Sequence, residues 1–461
     1  MKLKLIMGLI GVLSLSSFST LPSSDDTDKK EQENWVIGPF HRPEGVNPVL
    51  TPQPTSFYCP MRKEQVKWEE SDIFNPAATV KDGKIVVLYR AEDNSAQGIG
   101  KRTSRIGYAE SADGVTMKRL DSPVLFPGGD EFESIECPGG CEDPRVAMTE
   151  DGLYVMLYTA WNRKTPRLAV ATSKDLKNWK FEGDFWAPDL YTMHEMPDLF
   201  KMGDWWYLLT TEYSERSKTI YRMSRSLEGP WIAPADDAFD GRAYYAARSC
   251  SDGKHRYLFG WAATKTDNQD MNSWDWAGTF VCHEIYQRPD GTLGVKLPDS
   301  MLSAFEPAAE VLKGDAVLKT VDSQANLRIT ETPEDFFKVE MDFQISDNTR
   351  KFGIRLFEDP ETGDAYKYEV NLAENRIYFD RTPNQPWYRY FDKGLERPIH
   401  LEAGRKYHAR LIVDDSIVIM YIDGVSLIAR MHAKAGCDLS AYVIDGSLKI
   451  ENITIAKSLR S

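Results

Sequence analysis

The stretch Glu136-Cys137-Pro138-Gly139-Gly140-Cys141-Glu142-Asp143-Pro144-Arg145 decides how the chain is read. It is a glycine-rich turn that delivers two adjacent carboxylates, a proline and an arginine onto the first residues of a strand. That strand continues as Val146-Ala147-Met148, and a second follows the Asp151-Gly152 turn over residues 153–158. Proline cannot donate to a ladder and belongs at the first position of a strand. Asp143 is therefore pinned to a strand mouth, where functional groups sit on a rigid scaffold. Taken alone, the same residues also fit an Asp-Pro-Arg turn with a surface ion pair.

The pattern recurs. Residues 74–80, the Asp82-Gly83 turn, residues 85–90 and residues 105–109 make one unit. Residues 143–146, Asp151-Gly152, 153–158 and 167–171 make the second, and residues 196–200, Gly203-Asp204, 205–209 and 220–224 the third. A weaker fourth copy holds residues 244–248, Asp252-Gly253, 257–261 and 278–281. Each unit reads as a four-stranded meander, and meanders repeated at this period signal a β-propeller. One such unit cannot bury its faces alone, so the blades are expected to close into a ring, completed by the segment around residues 35–59. Beyond the Gly291-Thr292-Leu293-Gly294 run come further short strands, among them 336–343, 366–370, 409–413 and 417–422, with regular turns that suggest a sandwich. The predicted fold class is all-β: a five-bladed β-propeller over residues 35–300, then a C-terminal β-sandwich over 301–461.

The N-terminus carries Lys2 and Lys4, an apolar run over residues 5–15, then Ser17 and Ser19. This is the pattern of a secretory signal peptide, expected over residues 1–19, and it is too short for a membrane span. Residues 20–34 are polar and charged and read as a disordered leader. The expected location is periplasmic or secreted. A formal net charge of −14 with no basic stripe argues against nucleic acid as a partner. The six cysteines, at 59, 137, 141, 250, 282 and 437, are sparse for a disulfide-built scaffold. Cys137 and Cys141 have a metal-like spacing, but no matching Cys or His pair follows, so zinc is not expected; a local disulfide between them stays open.

The innermost strand of each blade begins with polar groups beside a proline: Asn75-Pro76, Asp143-Pro144 and Glu195-Met196-Pro197-Asp198. In a ring these positions face the axis together. Two carboxylates across a pocket are what glycoside cleavage needs, one as acid, the other as nucleophile or as base for water. Asp143 and Glu195 are the candidate pair, although Glu195 also fits a salt-bridged rim position. For Asp198 a structural or sugar-hydroxyl role fits better than catalysis.

Residues 35–300 resemble the five-bladed propeller glycosidases, with features of two families. His194-Glu195-Met196-Pro197-Asp198-Leu199-Phe200 is similar to the Glu-Cys-Pro-Asp-Leu-Phe segment of glycoside hydrolase family 32, which implies that Glu195 is the general acid. Trp274-Asp275-Trp276-Ala277-Gly278, Asp290-Gly291-Thr292-Leu293 and the sandwich segment Tyr421-Ile422-Asp423-Gly424 fit the same family. Phe74-Asn75-Pro76-Ala77-Ala78, Leu88-Tyr89-Arg90 and Gly140-Cys141-Glu142-Asp143-Pro144-Arg145 look more like family 130, the β-mannoside phosphorylases and mannosidases. There the aspartate before Pro-Arg is the proton donor, whereas family 32 uses the same position to stabilise the transition state. Asn75 stands where family 32 has its aspartate nucleophile, and Asp72 lies three residues away. An amide cannot act as that nucleophile, so the surviving carboxylates fit an inverting mechanism around a water.

The two resemblances imply an exo-acting glycoside hydrolase, exported according to the N-terminal pattern, that removes a non-reducing-end β-fructoside or β-mannoside from an oligo- or polysaccharide. Arg145, Asn75, Arg90, Asp198 and Asp72 are the expected substrate-orienting residues. Arg163 lies where family 130 places one phosphate-binding arginine. A non-catalytic sugar-binding propeller and a β-mannoside phosphorylase are the alternatives. No metal or organic cofactor, membrane span or protein partner is implied.

Overall fold

The structure, a computed structural model, describes residues 40–186, 194–212, 217–312, 314–333, 335–382 and 393–459. The signal peptide and leader expected over residues 1–34 lie outside the described residues. No described helix is long and apolar enough to cross a membrane. The fold class expected from the repeats is the one observed: propeller-type meanders followed by a β-sandwich. By contact density the described chain forms two compact units, one from Phe40 to Ala233 and the other from Pro234 onward.

In the first unit, β1 (Gln53–Cys59) and β2 (Glu64–Glu69) form a hairpin. The first meander is β3 (Asp72–Lys81), β4 (Lys84–Glu92), β5 (Ser104–Ser111) and β6 (Lys118–Arg119). A one-turn helix, α1 (Glu133–Glu136), precedes the second, which is β7 (Gly140–Met148), β8 (Tyr154–Trp161), β9 (Pro166–Ser173) and β10 (Lys180–Trp186). The third holds β11 (His194–Met202), β12 (Trp205–Glu212) and β13 (Lys218–Ser224), with a bridge from Met223 to Ile232. Central strands such as Tyr154–Trp161 are buried on both faces, and Leu88, Ile106, Cys141, Met156 and Tyr158 pack into one core between the first two meanders.

Every inner strand carries the same irregularity. The ladder slips between Phe74 and Ala77, between Glu142 and Arg145, and between Glu195 and Asp198. At the slip Asn75, Asp143 and Met196 adopt left-handed backbone, with φ of 46°, 52° and 56°. Asparagine and aspartate tolerate that region, whereas methionine pays roughly 1 kcal/mol for it. The next residue is proline each time, which costs no ladder bond because the bulge leaves that position unpaired. A bulge re-aims the side chains on either side of it, so the Pro signature marks a bulge at the fourth or fifth residue of each strand and not, as the sequence alone suggested, the strand's first position.

The second unit opens with a fourth meander, β14 (Tyr244–Ser251), β15 (Arg256–Lys265), β16 (Trp274–Gln287) and β17 (Leu293–Lys296). It repeats the bulge between Tyr245 and Arg248, with Ala246 at φ 56°. The sandwich follows. Its long last strand, Asp438–Lys457, pairs with Lys351–Glu358 along its first half and with Phe336–Ile345 along its second, so one strand serves both layers. Buried polar contacts tie the fourth meander to the strand Val425–Arg430. Arg430 donates to the carbonyls of Ala262 and Ala263 at 2.8 and 3.0 Å, and Asp240 accepts from the Ile428 amide at 2.8 Å. The meander therefore groups with the sandwich in one compact unit.

Gly140 opens β7 at φ 105°, and a Cβ there would meet the Ser104 carbonyl oxygen at 2.0 Å. Gly152, at φ 82° on a turn, has nothing within 4 Å of such a Cβ. Gly140→Ala is expected to cost about 3 kcal/mol or more and Gly152→Ala about 1 kcal/mol. Urea unfolding of the two variants checks the difference; equal costs would show that Ser104 does not constrain the turn.

Candidate active site

The candidate site is built on the mouths of β3, β4, β5, β7 and β11. Arg90, on β4 and almost fully buried, is its hub. Nη1 donates to Asp143 Oδ1 at 3.2 Å, and Nη2 donates to Glu92 Oε1 at 2.7 Å and Glu142 Oε1 at 2.8 Å. Nε donates to Ser104 Oγ at 3.1 Å, and the guanidinium stacks on Phe74 with 4.6 Å to the ring centre. Burial works against the charge, and the carboxylates of Glu142, Asp143 and Glu92 outweigh it, so the Arg90 pKa is raised. A cation held by so many acceptors is a fixed point of the site.

Asp143 receives a second donor on the same oxygen, Asn75 Nδ2 at 2.7 Å. Both residues sit at the left-handed bulge position of their strands, so one backbone device aims the two side chains at each other. Glu195 is half-buried on β11, paired in register with Thr211. The following amide, of Met196, donates to Thr159 Oγ1 on β8 at 3.2 Å, which ties the third meander to the second. The Glu195 charge acts on Glu142, whose pKa is pushed up to about 8. Burial is the main cause there; Arg90 opposes it, and Asp143, Glu195 and Glu92 add to it.

The remaining sequence candidates fall into place around this cluster. Arg145 donates through Nε to Asp198 Oδ1 at 2.9 Å, a pair that links β7 to β11. Asp72 is ion-paired to Arg102, which lies 3.5 Å from Glu92 Oε2. Arg163 is exposed on the turn between β8 and β9, and among the described residues no hydrogen bond or ion pair joins it to the cluster. Thus Asn75, Arg90 and Asp143 come together directly and Glu195 through its field, while Asp72 lies at the edge and Arg163 apart. Glu92 and Ser104 were not singled out from the sequence. Glu92 follows Arg90 by two residues, which on a strand places both on one face; Ser104 offers no such signal.

Beneath the turn, Glu136 accepts from the Tyr158 hydroxyl at 2.6 Å. Burial raises its pKa to about 7, against the hydrogen bonds from Tyr158 and Cys141. All six cysteines are free thiols, with Cys141 buried and Cys137 partly so, so the open disulfide between them is not formed here.

Strand-mouth carboxylates on propeller meanders, followed in the chain by a sandwich, define a protein of the glycoside hydrolase class. The chain belongs to glycosyl hydrolase family 32: its N-terminal domain matches residues 60–285 and its C-terminal domain residues 310–457. The chain is 38% identical over 127 residues to the 1,2-beta-oligomannan phosphorylase of Thermoanaerobacter sp. (strain X514), covering 27% of this chain and 41% of that protein. It is 24% identical over 256 residues to the sucrose-6-phosphate hydrolase of Salmonella typhimurium, covering 48% of this chain and 52% of that protein. It thus spans about four-tenths to half the length of these curated relatives. The exo-inulinase of Aspergillus awamori shares the fold, with a TM-score of 0.63 at 17% identity over 84% of each chain.

Two outcomes test this geometry. Asn75→Asp replaces a donor by an acceptor at the 2.7 Å contact with Asp143. Activity is expected to fall about 100-fold, with no covalent intermediate trapped in mass spectra; a trapped glycosyl adduct on residue 75 would overturn the reading. For Glu136, the raised folded pKa means that its stabilisation is full below the unfolded value and is lost as pH climbs toward about 7. Relative to Glu136→Gln, the wild type should therefore lose stability between about pH 4.5 and 7, read as the difference in Tm.

Proposed function

We propose that the protein is an exported, exo-acting hydrolase that cleaves a non-reducing-end β-mannoside from a glycan by inversion. The observation that carries this reading is the Asn75–Asp143 contact at 2.7 Å, an amide where a retaining enzyme needs a carboxylate. With that nucleophile absent, Asp143 and Glu195 divide the work around a water. Glu195, half-buried, gives its proton to the leaving oxygen as the glycosidic bond breaks; Asp143, held as an acceptor by Asn75 and Arg90, takes a proton from the water that bonds to the anomeric carbon. The β-mannoside rests on the 38% identity to an oligomannan phosphorylase and on the strand-mouth motif around Asp143. The weaker identity to sucrose-6-phosphate hydrolase keeps β-fructosides as the second substrate to assay.

Water is favoured over phosphate as acceptor because four described arginines of the first two meanders are already ion-paired. Arg90 is ion-paired to Glu92, Glu142 and Asp143, Arg102 to Asp72, Arg105 to Asp93, and Arg145 to Asp198. A phosphate ion would have to displace carboxylates to reach them. Export, read from the first nineteen residues, supports the same choice.

The test is sugar release by the purified protein from β-mannoside and β-fructoside panels, with and without phosphate. Free mannose released independently of phosphate is expected, and release that requires phosphate would establish phosphorolysis instead. Asp143→Asn and Glu195→Gln should each lower kcat by roughly a thousandfold while sugar binding persists. Full turnover in both variants would defeat the site assignment, and binding without turnover in the wild type would make this a sugar-binding propeller.

A further inference from the structure

Among the described groups around Arg90, carboxyl groups outnumber cations. Three carboxyl groups, those of Glu92, Glu142 and Asp143, meet one guanidinium, with side-chain exposures of 0%, 7% and 2%. Arg102 adds a cation at Glu92, 3.5 Å away, and is itself paired to Asp72. Glu195 on β11, whenever it is ionised, adds a further negative charge felt by Glu142. Ser104 has one hydroxyl hydrogen, yet its Oγ lies 3.2 Å from both Glu92 Oε1 and Glu142 Oε1. It can serve only one of them at a time. Carboxylates crowded into a buried site do not all ionise together.

We propose that Glu142 is a positioning residue that works as a neutral carboxylic acid, with its proton on Oε2 and Oε1 accepting from Arg90 and Ser104. Both donors converge on Oε1, which is the part a carbonyl oxygen plays. In this state Glu142 anchors Arg90 Nη2 at 2.8 Å without drawing its charge away from Asp143, 3.2 Å from Nη1. Glu142 is the member of the group that keeps the proton because Glu92 has a second cation, Arg102, 3.5 Å away and Asp143 a second donor in Asn75, while Glu142 shares Nη2 with Glu92 and has Asp143 beside it in the chain. Its raised pKa of about 8 agrees with that assignment. Ionised, Glu142 would compete with Asp143 for Arg90 and add a charge beside both members of the carboxylate pair.

The activity arm of the test rests on the hydrolase reading; the stability arm does not. The wild type, Glu142→Ala and Glu142→Gln are compared for kcat/KM and for Tm from about pH 5 to 9. Glu142→Ala should lose about 100-fold in kcat/KM as Arg90 shifts. Glu142→Gln, shaped like the neutral acid, should recover at least about 10-fold of that loss. Above about pH 8 the wild type should fall more steeply than Glu142→Gln, by up to ~10-fold per pH unit in the ratio of the two.

The stability sign follows from the raised folded pKa. The stabilisation is complete below the unfolded value and is lost as pH rises to about 8, so the wild-type Tm should fall relative to Glu142→Gln across that window. A Glu142→Gln variant as inactive as Glu142→Ala at every pH would overturn the proposal, as would a Tm difference that does not change with pH. Should the wild type cleave none of the glycosides, the hydrolase reading fails and the Tm comparison still decides Glu142. If Glu142→Ala does not fold, wild type against Glu142→Gln carries the test alone.

Discussion

The buried guanidinium of Arg90 is the interaction on which the rest of the site depends. Burying one charge is costly, and it is offset only where acceptors satisfy the donor directions. Here Nε, Nη1 and Nη2 are taken by Ser104, Asp143, Glu92 and Glu142, drawn from β4, β5 and β7. Those strands are the mouths of the first two meanders. The hub therefore fixes their relative register at the point where the chemistry is placed. A second shared constraint comes from Ser104, whose amide donates to the Gly139 carbonyl at 2.7 Å while its carbonyl leaves no room for a side chain at Gly140.

The recurring left-handed bulge gives the repeats their functional meaning. It places Asn75, Asp143, Met196 and Ala246 at one equivalent position, and Phe74, Glu142, Glu195 and Tyr245 at the position before it. Asp143 and Glu195 therefore do not occupy equivalent sites in their blades, and the asymmetry suits two carboxylates that carry different roles. Asn75 and Asp143 are equivalent, and the mutual contact between them is one that two carboxylates could not make without repulsion. Holding methionine and alanine in left-handed backbone costs roughly 1 kcal/mol each, so the geometry is imposed by the sheet and not by local preference.

Much of this was legible in the residues. Asp143 and Asn75 were marked by the prolines that follow them, since proline tells where a ladder bond is absent, but each proline lies at a bulge inside its strand and not at the strand's first position. The four meanders and the sandwich followed from alternation and Asp-Gly turns. The hub was less legible. Arg90 and Glu92 are two residues apart, but Glu142 and Ser104 reach them only through ladder registers that no local pattern encodes. The grouping of the fourth meander with the sandwich was also invisible, since Asp240 meets Ser426 and Ile428 across more than 180 residues.

The sequence by itself determined the period of the strands, the positions of the turns and the identity of the strand-mouth side chains. Those properties depend on residues within a few places of one another: alternation, a proline without a donor, a glycine where φ is positive. Only the tertiary structure decided which carboxyl groups share a cation, because charge balance is a property of groups brought within 3–4 Å by pairing, not by sequence. Arg145 and Asp198 became a pair, Asp72 found Arg102, and Arg163 was left on an exposed turn for the same reason. Burial then set the protonation of Glu142, since the cost of a charge depends on the medium that surrounds it.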